Sequence, residues 1–177
     1  RLIAASEGSV LIDGVELGKW DTRELAKNLA ILGQSTHFSI RLTVEDLVRF
    51  GRFPHSRGKI TEQDRHVVRQ ALEYTGLTEL KNRFIDELSG GQRQTAYIAM
   101  AIAQDTKYIL LDEPLNNLDM QRSAQIMRLL RKLVDEKGKT VLIVIHDINF
   151  VSFHADYVVA LKHGKLAAMG TVSEIIN

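Results

Sequence analysis

Asp112 and Glu113 stand side by side at the end of the apolar run Tyr108-Ile109-Leu110-Leu111, with Pro114 directly after them. Such a run reads as a buried strand, and α/β sheets place their ligands at the carboxyl ends of strands. In nucleotide hydrolases the first of two such carboxylates supports Mg²⁺ and the second can polarise an attacking water. The alternative is that the pair caps the turn enforced by Pro114. Upstream, Leu88-Ser89-Gly90-Gly91-Gln92 puts a helix-starting Ser before two glycines that let a ligand approach the backbone. Free N–H groups and the helix dipole at that end favour a phosphate oxygen; otherwise Ser89 is an ordinary N-cap on a glycine-softened first turn. His146 and Asp147 follow the apolar run Val141–Ile145, and Gln34 follows Ala30-Ile31-Leu32-Gly33. A lone His at a strand end is more often a structural hydrogen-bonder than a catalyst, and the same holds for Gln34 as a loop amide. His37, His55, His66, His154 and His163 show no metal-ligand spacing and read as structural or exposed.

These groups need elements to hold them. Gly8–Gly14 reads as a short strand closed by an Asp-Gly turn, and Ala30–Gln34 as a second strand ending at a polar loop. From Thr43 the pattern turns helical. Thr43 with Asp46 and Thr61 with Asp64 are helix-start signals. Val67, Val68, Ala71 and Leu72 give one apolar face, stopped by Gly76, and Ser89–Gln104 forms a further helix. The second half alternates. Strand Lys107–Leu111 precedes a helix with Ile126, Leu129, Leu130 and Leu133 on one face. Then come strand Thr140–Ile145, a short helix near Phe150 and a hairpin turning at Gly164. Alternation with continuous apolar strands predicts an α/β fold whose parallel sheet is covered on both faces.

Bulk properties bound the partners. Across 177 residues the formal net charge is +1, which argues against a dedicated nucleic-acid surface. The absence of cysteine excludes disulfides and thiol chemistry. No apolar run approaches the roughly 20 residues of a spanning helix, so membrane association would come through a partner. The chain opens on Arg1, which reads as an internal piece of something longer, and Thr171–Ile176 reads as the start of a further helix.

In order along the chain, these pieces resemble the ATP-binding-cassette (ABC) ATPases, from Gly8 to the C-terminus. Gln34 matches the Q-loop, Leu88–Gln92 is the signature LSGGQ unchanged, and Tyr108–Glu113 matches Walker B. Asn116-Asn117-Leu118-Asp119 matches the D-loop, and His146 the switch histidine. The resemblance implies ATP and Mg²⁺ as cofactors. Asp112 and Gln34 would serve the metal and its waters, Glu113 would be the general base, and His146 would contact the γ-phosphate. Ser89, Gly90, Gly91 and Gln92 would face ATP bound to a second ATP-binding subunit in a head-to-tail dimer, with Asp119 at that interface. Thr95 departs from the basic residue that many members carry there.

The resemblance also implies a P-loop NTPase core split into 1–40 up to the Q-loop, 41–104 as a helical subdomain with the signature, and 105–177 as the remaining core. The P-loop pattern G-x-x-x-x-G-K-[ST] is absent: Gly138-Lys139-Thr140 has Leu133 where the first Gly belongs, and it ends a helix. The core is therefore expected to be N-terminally truncated, weak in binding MgATP, inactive alone, and open at an apolar strand edge. The stretch Arg41–His55 and the run Ile109–Met120 resemble the importer branch for ferric siderophores, haem or cobalamin. That implies a bacterial iron-siderophore importer subunit, peripheral on the cytoplasmic face of the membrane. Its partners would be a transmembrane permease and, indirectly, a substrate-binding protein, with no nucleic acid. Phe50, Phe53 and Pro54 read as a hydrophobic turn packing the helices, as part of the groove for the permease, or both. The alternative is a non-transport ABC ATPase of DNA repair or the ribosome; against it stand the missing cysteines, heptads and tandem cassette.

Overall fold

The computed structural model describes residues 7–34 and 40–176. Arg1 and His37, named above, lie outside the described residues. The first described element is a short hairpin, β1 (Leu11–Ile12) against β2 (Val15–Glu16). Its turn, Asp13-Gly14, takes φ of 49° and 76°, the left-handed pair that a tight hairpin of matching twist requires. The strand expected over Gly8–Gly14 thus shrinks to its last turn. Asp13 accepts from Tyr108 Oη at 2.6 Å and pairs with Lys107 Nζ at 2.5 Å, pinning the hairpin to the start of a later strand.

Helix α1 (Thr22–Asn28) is capped by Asp21 and runs straight into β3 (Leu29–Leu32). Then follow α2 (Val44–Phe50), α3 (Phe53–Ser56), α4 (Glu62–Tyr74) and α5 (Gly90–Ala103). Both predicted helix starts carry reciprocal capping boxes: Thr43 Oγ1 accepts from Asp46 N at 3.1 Å, and Thr61 Oγ1 from Asp64 N at 3.2 Å. The second half is β4 (Tyr108–Asp112), α6 (Met120–Lys137), β5 (Thr140–Val144), α7 (Ile148–His154), the hairpin β6 (Tyr157–Lys162) and β7 (Lys165–Thr171), and α8 (Val172–Ile175). Gly138 ends α6 in the left-handed conformation, φ 61°, which fits a helix stop and not a phosphate loop.

Strands β3, β4 and β5 form one parallel sheet in that order. The register stacks Ala30, Ile109 and Val141 on one face, with Leu32, Leu111 and Ile143 beside them. These pack with Ile98 of α5 and Ile126, Met127 and Leu130 of α6 into one apolar cluster. The opposite face carries Ile31, Leu110 and Leu142 in register. Ile31 is 50% and Leu142 57% exposed, so the expected cover on both faces is not found among the described residues. The reason is the period of two: α5 and α6 take up one set of alternating side chains, and no described helix lies over the other. No described strand pairs with the outer edge of β5, and β6–β7 is a separate sheet. Among the described residues no helix is long and apolar enough to cross a membrane.

A second cluster joins Leu47 and Val48 of α2, Val68 and Leu72 of α4, and Ala96 and Ala99 of α5. Phe50 and Phe53 are exposed and stay out of it. Segment 42–45 runs against 81–85, with Ile85 N donating to Leu42 O and Val44 N to Arg83 O, each at 2.9 Å. Arg41 lies 3.9 Å over the Phe84 ring and pairs with Asp86 at 3.4 Å and Glu87 at 3.2 Å. The end of α2 is closely set against α5: a Cβ at Gly51 would strike the Met100 carbonyl oxygen and stand 3.1 Å from Gln104 N. Both obstacles are backbone and cannot rotate away. Gly51→Ala should therefore destabilise the chain by about 1–3 kcal/mol, read as a lowered denaturation midpoint at unchanged m-value; an unchanged midpoint would show that the two helices part without cost.

Candidate functional site

The parallel register assembles the site. Leu32 pairs with Leu111, so Gln34 and Glu113, each two residues further on, leave the sheet at the same level. Gln34 Nε2 donates to Glu113 Oε2 at 2.7 Å, across 79 residues of sequence. Asp112 pairs with Val144, and Glu113 N donates to Val144 O at 3.0 Å, which brings the exit of β5 and His146 to the same edge. Asp112 is the last residue of β4 and is exposed there.

Beyond β4 the chain turns sharply. Glu113 and Asn117 take φ of 49° and 61°, and Asn116 N donates to Glu113 O at 3.2 Å. Asn116 Nδ2 also donates to Glu113 Oε2, so two amides meet on one carboxylate oxygen. Asp119 caps α6 by accepting from Arg122 N at 2.8 Å. Asp147 caps α7 by accepting from Asn149 N at 2.9 Å, which accounts for its place after His146. A cleft of about 300 Å³ runs along this edge, lined by Asn116, Asn117, Ser123, His146 and Phe150 among others.

At the start of α5, Ser89 Oγ accepts from Gln92 N at 3.3 Å while Gln92 Oε1 accepts from Ser89 N at 3.0 Å. The N-cap alternative is thus realised, and the Gln92 side chain completes it. The two glycines differ. A Cβ at Gly90 would meet nothing within 4 Å, whereas one at Gly91 would stand 3.0 Å from Arg122 Cδ. Gly91 is buried against the first turn of α6, and Thr95 Oγ1 donates to its carbonyl at 2.8 Å. The structure therefore brings Gln34, Glu113 and the exits of β4 and β5 together. Ser89–Gln92 meets α6 at Arg122, and among the described residues no hydrogen bond joins it to Glu113 or His146. The contacts of Asn116 and Arg122 escaped the sequence reading; an amide three residues after Glu113 was the one available signal for the first.

The donors present suit Mg²⁺. With Gln34 Nε2 turned to Glu113, its carbonyl Oε1 is left as an oxygen donor, and Asp112 supplies an exposed carboxylate at the end of β4. Mg²⁺ takes few protein oxygens and completes its shell with water and phosphate. Among the described residues no cluster of three or more His, Cys, Asp or Glu groups forms a cage.

A family profile described as "ABC transporter" matches residues 1–116. The petrobactin import ATP-binding protein YclP of Bacillus subtilis (strain 168) is 55% identical over 177 residues, covering 100% of this chain and 70% of that protein. A metal-chelate type ABC transporter in an inward-facing conformation superposes with a TM-score of 0.80 at 34% identity, over 84% of this chain and 60% of that one. The dimeric cassette MJ0796, bound to ADP and Pi after hydrolysis, gives 0.81 at 32%, over 97% and 76%.

Proposed function

Since this chain belongs to the ABC transporter family of ATP-binding proteins, we propose that it is the ATP-hydrolysing subunit of a bacterial importer of ferric siderophores. The observation that carries the chemistry is the Glu113 carboxylate, set at a strand end and held by Gln34 across the parallel register. Asp112 and Gln34 would hold Mg²⁺, which when bound would neutralise charge on the phosphate oxygens. Glu113 accepts the proton of the hydrolytic water, and His146, on the same edge, contacts the γ-phosphate. Ser89, Gly90, Gly91 and Gln92 serve the nucleotide of a second ATP-binding subunit packed head to tail, with Asp119 at that interface. Support for such a dimer is the likeness to the ADP-bound cassette. The exposed Phe50 and Phe53 beside Pro54 line the groove for a transmembrane permease, which holds the subunit peripherally at the cytoplasmic membrane face. A substrate-binding protein delivers the iron chelate, which never meets this subunit.

The native protein should co-purify with a polytopic membrane protein, and the pair in liposomes should take up ferric siderophore only with MgATP. Recovery with ribosomes or DNA, and no permease, would overturn the reading. The 177 residues hold no G-x-x-x-x-G-K-[ST] stretch to cradle phosphates. Calorimetric titration of this 177-residue polypeptide with MgATP should therefore give no saturable heat at micromolar concentration; tight binding would reveal a phosphate site elsewhere in it.

A further inference from the structure

Two amides meet the Glu113 carboxylate on the same oxygen, Oε2: Gln34 Nε2 from the exit of β3, and Asn116 Nδ2 from the turn that follows β4. Gln34 reaches in from a distant part of the chain, whereas Asn116 belongs to the turn itself. Its own backbone N–H returns to the Glu113 carbonyl at 3.2 Å, over a buried Pro114. Backbone and side chain of Asn116 thus grip the same residue. Asn116 also lines the cleft that holds His146.

We propose that Asn116 is a positioning residue for Glu113. Resting on the ATPase reading above, it fixes the carboxylate rotamer and assigns proton acceptance to Oε1, the oxygen that neither amide engages. In the hydrolytic step the water oxygen bonds to the γ-phosphorus as the bond from that phosphorus to the bridging oxygen breaks. The water's proton passes to Oε1, and ADP leaves with the bridging oxygen. An amide at position 116 is the right chemistry for this hold, since it donates to a carboxylate and carries no charge. An Asp there would set a second carboxylate against the first.

The test uses the native protein in complex with its permease. Asn116→Ala and Asn116→Asp should each lower kcat for ATP by up to about 100-fold, the cost of a misplaced catalytic group, with KM and the melting temperature kept. Because the residue acts through Glu113, Asn116→Ala should add nothing in a Glu113→Gln background, where two independent roles would multiply. Full kcat in Asn116→Ala beside a dead Glu113→Gln overturns the proposal alone. So does a further loss in the double variant, or a KM and melting temperature that fall with kcat. No turnover in the wild-type complex, or an active Glu113→Gln, overturns the ATPase reading and this proposal with it.

Discussion

Glu113→Gln should lower ATP turnover of the native assembled protein by about 10²- to 10⁴-fold, the contribution expected of a positioned general base. The substitution keeps the shape of the side chain and an oxygen to accept from Gln34 or Asn116, yet it removes the capacity to take a proton. Nucleotide binding rests on other groups and should be retained. Phosphate release measured beside equilibrium ATP binding separates the two. Turnover within tenfold of wild type would mean that Glu113 caps its turn and that another group accepts the proton.

Asp64→Ala should cost about 3–5 kcal/mol, because it strands a buried guanidinium. The side chains of Arg52 and Asp64 are 7% and 5% exposed and meet at 2.9 Å. Arg52 Nη1 also donates to the Ala103 carbonyl at 2.8 Å, placing a cation at the C-terminal end of α5, where the helix dipole favours it. Burial by itself would raise the Asp64 pKa. Hydrogen bonds from the Thr61 hydroxyl and N–H, with the Arg52 guanidinium, outweigh burial and hold it below the ordinary 3.8. A carboxylate depressed in the folded state stabilises fully above its unfolded pKa, and that stabilisation is lost as pH falls through the folded value. The wild-type melting temperature should thus fall more steeply below about pH 3.8 than that of Asp64→Ala, already low. Replacing both partners with apolar residues of similar volume should cost much less than the single change. Equal losses would show that the cap on Thr61, and not the stranded charge, sets the cost.

Much of this architecture is legible in the residues. Thr43 with Asp46, Thr61 with Asp64 and Ser89 alone announce helix starts by local chemistry, and the structure places a reciprocal cap at each, with Gln92 completing the third. Strand β4 declares itself by its apolar run and its carboxylates. What stayed hidden depends on geometry without a local code. The hold of Asn116 on Glu113 requires the left-handed φ at Glu113 and at Asn117, which neither residue type demands. The contact of Gly91 with Arg122 joins two helices whose approach no single segment specifies. The open sheet face was missed because an apolar strand such as Thr140–Val144 reads the same whether one layer covers it or two.

Helix α5 belongs to both apolar clusters at once. Ala96, Ala99 and Ala103 face the helical side, while Ile98 and Ala101 face the sheet. Its 14 residues make a rod of about 21 Å. Pivoted at the Arg52 and Gly51 end, a tilt of about 5° carries the Ser89 end through about 2 Å, comparable to the shifts by which packed helices slide past one another. On the helical side the fully buried contacts are the methyl groups of Ala96, Ala99 and Ala103, shallow ridges over which a helix slides more easily than over branched side chains. The helix is in this sense a lever with its fulcrum among the helices of the second cluster and its tip beside the first turn of α6.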